Sequence, residues 1–132
     1  MALPSIGGGS QIGDGNLNEI QMDVMSPQTA TVTANLTVAQ ITNDLLVGNP
    51  STSAASYTLP TVAALEAVVT NAKIGSWLDL VIVNLGTSSG VITVLTNTGW
   101  TLTGLMTLAV STSSQFRAYK SGAGAWTLYR IS

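Results

Sequence analysis

The residues best suited to chemistry in this chain are one serine set between glycines and six carboxylates. Gly86-Thr87-Ser88-Ser89-Gly90 matches the G-x-S-x-G string of serine hydrolases, in which the serine sits on a strand-to-helix elbow and a histidine takes its proton. The chain contains no histidine, and strand-like residues flank the string on both sides, so a turn is predicted there. Asp14-Gly15-Asn16-Leu17-Asn18 opens like a calcium loop, with oxygen ligands at alternate positions. Such a loop then needs glycine where Glu19 stands and a bidentate glutamate where Met25 stands, so no metal is expected. Gly7-Gly8-Gly9 has neither the spacing nor the following Lys-Ser/Thr of a phosphate loop and reads as flexible linker. Glycoside hydrolysis requires two acids facing one another across a sugar, and nothing in the sequence pairs Asp14, Glu19, Asp23, Asp44, Glu66 or Asp79. No catalytic residue, cofactor or small-molecule substrate is therefore expected, and the chain reads as a non-enzyme.

Asp79 is the carboxylate that demands a partner. It lies between Leu78 and Leu80-Val81 in the densest apolar stretch, and a buried charge without a counter-charge is costly. Arg117 or Arg130 is predicted to meet it, in the same protomer or across an interface. Glu66 is placed on the solvent face of a helix. Among the aromatics, Trp77 and Phe116 are assigned to the core, and Trp100, just after a turn, is the predicted exposed interface anchor.

The elements that must position these residues carry little charge. Of 132 residues only four are Lys or Arg and six are Asp or Glu, far below the quarter or so of a typical soluble domain. A single uncharged run extends from Leu80 to Phe116, between Asp79 and Arg117. Ser, Thr, Asn and Gly are interleaved through it, so no transmembrane span fits. Four scattered cations, Lys73, Arg117, Lys120 and Arg130, are too few to neutralise the phosphates on which nucleic-acid affinity rests. No cysteine is present, which excludes disulfides and thiolate sites. The N-terminus lacks the cationic and apolar regions of a signal peptide. A surface so poor in charge must be covered with hydroxyls and amides or buried against other chains, which points to an assembly component.

Along the chain, residues 1–25 carry apolar positions without a clean period: Leu3, Pro4, Ile6, Ile12, Leu17, Ile20 and Met22 between glycines. This reads as an extended docking arm. Residues 26–132 read as one β-domain. Thr29 to Ala34 alternates as a strand; Leu36 to Val47 fits neither a strand nor a helix period well. Tyr57-Thr58-Leu59 is a short strand, and Pro60-Thr61 introduces the only convincing helix, with Thr61 as N-cap and Val62, Leu65 and Val69 on one face. The helix is predicted to end near Lys73. Trp77 to Asn84 reads as a strand buried on both faces, answered across Gly86–Gly90 by Val91 to Thr96 as a hairpin partner. Strands follow at Trp100–Thr103 and Leu105–Val110, and a hairpin pairs Gln115–Lys120 with Trp126–Ile131. The predicted class is mainly β, a jelly-roll-like β-sandwich or small barrel with one short helix and an N-terminal arm.

The stretch from Tyr57-Thr58-Leu59-Pro60-Thr61, through Leu80-Val81-Ile82-Val83-Asn84 and Val91-Ile92-Thr93-Val94, to Phe116-Arg117 and Trp126-Thr127-Leu128-Tyr129-Arg130-Ile131 resembles the head decoration, or cement, proteins of tailed bacteriophages. The resemblance covers about the C-terminal three-fifths. It lies in a Thr-Leu-Pro lead-in to a short helix, an apolar strand ending in Asn, and a terminal Trp-Thr-Leu-Tyr hairpin; similar modules occur in tail fibres. It implies a homotrimer on the outer capsid surface of the virion, its N-terminal arm reaching over the major capsid protein, with no catalytic residue to carry over. The alternative it leaves open is a β-rich trimeric tail-fibre or receptor-binding module.

Overall fold

A computed structural model describes residues 24–132. Of these, 43% lie in strands and 11% in two helices. In chain order the elements are β1 (Gln28–Ala30), β2 (Ala34–Asn35), α1 (Val38–Thr42), β3 (Leu45–Gly48), β4 (Ala55–Thr58), α2 (Val62–Val68), β5 (Trp77–Asn84), β6 (Ile92–Leu95), β7 (Trp100–Thr103), β8 (Thr107–Leu108), β9 (Ser113–Gly122) and β10 (Ala125–Arg130). They form two mixed sheets, one ordered β1-β3-β5-β9-β10-β7 and the other β2-β4-β6-β8.

The first six strands are three stacked rungs. Each rung puts its first strand in the six-stranded sheet and its second in the four-stranded sheet, and successive rungs pair in parallel. Leu46 lies beside Gln28 and Ile82 in the first sheet, and Tyr57 beside Ala34 and Val94 in the second. The first two rungs end on nearly the same words, Leu36-Thr37-Val38-Ala39 and Leu59-Pro60-Thr61-Val62-Ala63. In both, the leucine is buried and the threonine caps a short helix. Thr37 Oγ1 accepts the Gln40 N–H and the Gln40 side chain accepts the Thr37 N–H, a reciprocal capping box. Thr61 Oγ1 accepts the Ala64 N–H at 3.2 Å, satisfying a donor that the helix start leaves unpaired.

Alternation along each strand sends one set of side chains into a single core. Leu46, Leu80, Ile82, Phe116, Trp126 and Leu128 enter it from the six-stranded sheet; Tyr57, Ile92, Val94 and Leu108 enter from the four-stranded sheet. Each such side chain withdrawn from water supplies roughly 1.5–3 kcal/mol. Tyr57 is wholly buried, and its hydroxyl donates to the Thr31 carbonyl at 2.8 Å. Burial raises its pKa, which keeps it a phenol.

The structure corrects several expectations. The ambiguous segment after Leu36 resolves into α1 followed by β3, giving two helices where one was predicted. Thr29 to Ala34 is not one strand, because the chain turns between β1 and β2 to change sheets. α2 ends at Val68, with Val69 closing it by an N–H bond to the Leu65 carbonyl. The strand predicted at Leu105–Val110 is only the two residues of β8. β5 and β6 are not a hairpin, because they belong to different sheets. Nor is β5 buried on both faces: Leu80, Ile82 and Asn84 point inward, whereas Trp77 is 56% exposed.

Candidate interaction surface

The serine string sits at a corner of the rungs. The Leu85 N–H donates to the Gly48 carbonyl and the Thr87 N–H to the Ser51 carbonyl, both at 2.8 Å, so the loop lies directly on the loop of the rung before it. Asn84, fully buried, ties the corner together: its amide donates to the Gly90, Leu108 and Ala109 carbonyls, and its Oδ1 accepts the Gly86 N–H. A Cβ on Gly86 would stand 2.3 Å from the Gly90 carbonyl oxygen, and one on Gly90 the same distance from that of Ser51. The two glycines of the string are therefore demanded by backbone packing. Ser88 is exposed, and its loop leads into a strand, not a helix.

The outward side chains of the six-stranded sheet form a different kind of surface. Register places Trp77, Tyr119, Thr127 and Thr101 in one row across β5, β9, β10 and β7, and Asp79, Arg117, Tyr129 and Thr103 in the next. Beyond them come Leu45, Val81 and Gln115, then Val47, Val83 and Ser113. Asp79 is met by Arg117 of the same chain through two bonds, Nε to Oδ1 at 2.7 Å and Nη2 to Oδ2 at 3.1 Å. The Gln115 amide donates to the same carboxylate. The Arg117 guanidinium carbon also lies 4.0 Å from the centre of the Trp77 ring, a cation–π contact. Chiefly through its Arg117 hydrogen bonds, the Asp79 carboxyl is held below its usual pKa, and that of Arg117 is raised in return. The pair is half-open to water, with side-chain exposures of 41% for Arg117 and 31% for Asp79, so screening keeps its worth to the fold small.

Arg130 is not a partner of Asp79. It turns to the end of the sheets, where its guanidinium donates to the carbonyls of Leu105, Thr107 and Ser132. Trp100 is not an exposed anchor either; it is 7% exposed, packs 6.1 Å from Trp126, and donates its indole N–H to the Pro60 carbonyl at 2.7 Å. That bond, with the Asn97 amide on the Leu59 carbonyl and the Val62 N–H on the Thr98 carbonyl, pins the start of α2 over the tryptophan pair. Glu66 is likewise engaged, accepting the Trp126 indole N–H and the Lys120 ammonium, each at 3.0 Å. Those two donors, the indole first, lower the pKa of its carboxyl.

Trp77 is the exposed tryptophan that sequence reasoning missed. A signal for it exists: Trp77 shares its strand phase with Asp79, so any register that lets Asp79 reach a half-open partner turns Trp77 outward as well. The arm residues Leu3, Pro4, Ile6, Ile12, Leu17, Ile20 and Met22, and the calcium-like string at Asp14, lie outside the described residues. Val24 and Met25 lie within them and are exposed. Among the described residues no helix is long and apolar enough to cross a membrane, and no three acidic, histidine or cysteine side chains are grouped to hold a metal ion. No protein-family model matches this chain, and no curated protein or solved structure matches it.

Proposed function

We propose that this chain is a structural virion protein, a homotrimeric decoration or cement protein that binds the outer surface of a tailed-phage capsid and stabilises contacts between capsomers. Residues 1–25 act as the arm that docks on the major capsid protein, and residues 26–132 form a two-sheet sandwich that sits above it. Nucleic acid, membrane and small-molecule substrate play no part. The observation that supports this reading best is the outer face of the six-stranded sheet, where Trp77, Tyr119, Tyr129 and four aliphatic side chains surround an ion pair already neutralised within the chain. Such a face fits burial against protein. Among the described residues the six-stranded sheet ends at β1 and β7 and the four-stranded sheet at β2 and β8, and a closed ring of copies is a way of covering such edges. Three arms presented together gain from effective concentration, so each needs only modest affinity.

The stacked rungs of β1 to β6 favour a second reading, a trimeric tail-fibre or receptor-binding module, because rung architectures extend by repetition. Trp100 offers that reading no support, since its ring lies in the core. The two readings separate on shape and on binding. Deletion of residues 1–25 is expected to leave a folded trimer that no longer cosediments with undecorated heads of the phage that encodes it. Undiminished head binding by the shortened chain refutes the role given to the arm, and absence of head binding by the full chain refutes decoration itself.

A further inference from the structure

We infer that the outer face of the six-stranded sheet is the surface through which copies of this chain bind one another, anchored by Trp77 and Tyr129 around the Asp79–Arg117 pair. The inference rests on the reading of the chain as a self-assembling component and gives that assembly its interface. Three features of the face argue for a second copy as its occupant.

The first is charge. Among the described residues Asp79 and Arg117 are the charged side chains on this face, and they satisfy each other through two hydrogen bonds. A copy of the same face therefore brings no unpaired charge and no like-charge repulsion, whereas a polyanion or a basic partner would find no complementary field. The second is residue type. Trp, Tyr and Arg are the residues that dominate interface energetics, and here Trp77 is 56% and Tyr129 39% exposed, with Arg117 stacked on Trp77 and already held in place by Asp79. A side chain fixed before binding loses little entropy on association. The third is contiguity. Leu45, Val47, Val81 and Val83 stand in adjacent register positions, so the apolar area is one patch. The other exposed apolar residues, among them Val32, Val68, Ile74, Leu85, Leu95 and Leu105, are single side chains on loops and at the ends of elements, which is ordinary for a surface.

The test is sedimentation velocity of the full chain across a concentration series, wild type beside Trp77→Ala, Tyr129→Lys and the control Thr93→Lys on the opposite sheet, with circular dichroism checking that each folds. The wild type is expected to associate, the two face variants to dissociate at least about 30-fold more readily, the loss that truncation of a hot-spot residue brings, and Thr93→Lys to behave as wild type. Face variants that fold and still associate like wild type, or a Thr93→Lys chain that dissociates as they do, overturn the inference and leave the decoration reading standing. A wild type that is monomeric at every concentration overturns both. The absence of cysteine supplies a second measurement should a face variant not fold: a lone thiol at Thr127→Cys is expected to lose maleimide reactivity as concentration rises, and one at Thr93→Cys to keep it. Equal reactivity at the two sites overturns the inference.

Discussion

On the outer face of the four-stranded sheet Ser56, Thr93 and Thr107 stand in one row across β4, β6 and β8. Across the core, the outer face of the six-stranded sheet presents Leu45, Val81 and Gln115 in one row and Trp77, Tyr119 and Thr127 in another. The inward residues of the two sheets are alike, aliphatic and aromatic on both sides of a shared core. The outward residues are not. The threonines are β-branched and suit a strand, and all three hydroxyls can still bond water, so the four-stranded face is wetted at little cost. Leu95, at the end of β6, is its apolar exception. The six-stranded face leaves aliphatic and indole surface in water, at roughly 25 cal/mol for each Å² that a partner would cover. The rungs give three strands to each sheet, so the difference lies in which side chains stand outward on them and on the strands that complete each sheet.

The largest effect that sharpens this contrast comes from comparing neighbours on β5. Ile82→Ala, in the core, is expected to cost about 2–5 kcal/mol, and Val83→Ala, on the outer face, under about 1 kcal/mol. Urea unfolding at one fixed protein concentration measures both; equal losses would break the assignment of inner and outer sides. Next comes acid sensitivity. Asp79 and Glu66 titrate below their ordinary values of 3.8 and 4.5 in the folded chain. Their contribution is therefore complete above those ordinary values and is lost as pH falls through the lower, folded ones. Stability is expected to hold from pH 7 to about 5 and then decline, and the decline should shrink in a chain carrying Asp79→Asn and Glu66→Gln. An unaltered pH profile in that chain would show the two carboxylates to be idle.

Smaller still is the effect of Ser114→Ala. Ser114 is buried beneath the six-stranded sheet, and its Oγ finds no hydrogen-bond partner among the described residues. Removing a desolvated hydroxyl should leave the urea midpoint unchanged or raise it by up to about 1 kcal/mol in stability, and a clear loss would reveal a partner at that position. The least effect is expected from salt. Because the proposed interface carries one internally neutralised pair, association should change little between low and high sodium chloride, and a steep loss of association with salt would move the interface to a charged surface.

Much of the C-terminal half was legible. The terminal hairpin announces itself by alternation on both sides of Gly122 and Gly124, and the α2 cap by Thr61 ahead of Val62 and Leu65. The rungs were not legible, because alternation says which residues face inward and not which sheet a strand joins. Parallel pairing between β1, β3 and β5 connects strands that are never adjacent in sequence. The repeated Leu-Thr-Val-Ala was a usable signal, hidden by the insertion of Pro60 in the second copy. The Gly86–Gly90 loop looked like a hairpin turn because its glycines serve backbone approach at a corner, and either role selects glycine. The tryptophans were exchanged for the same kind of reason: Trp100 is drawn inward by Trp126 and the Pro60 carbonyl, neighbours that only the fold supplies.

Burial of this chain's charge-poor surface against copies of itself is tested most directly by sedimentation velocity of the purified wild-type chain. A compact trimer is expected. A monomer at every concentration would contradict it, and with it the argument from the outer face of the six-stranded sheet.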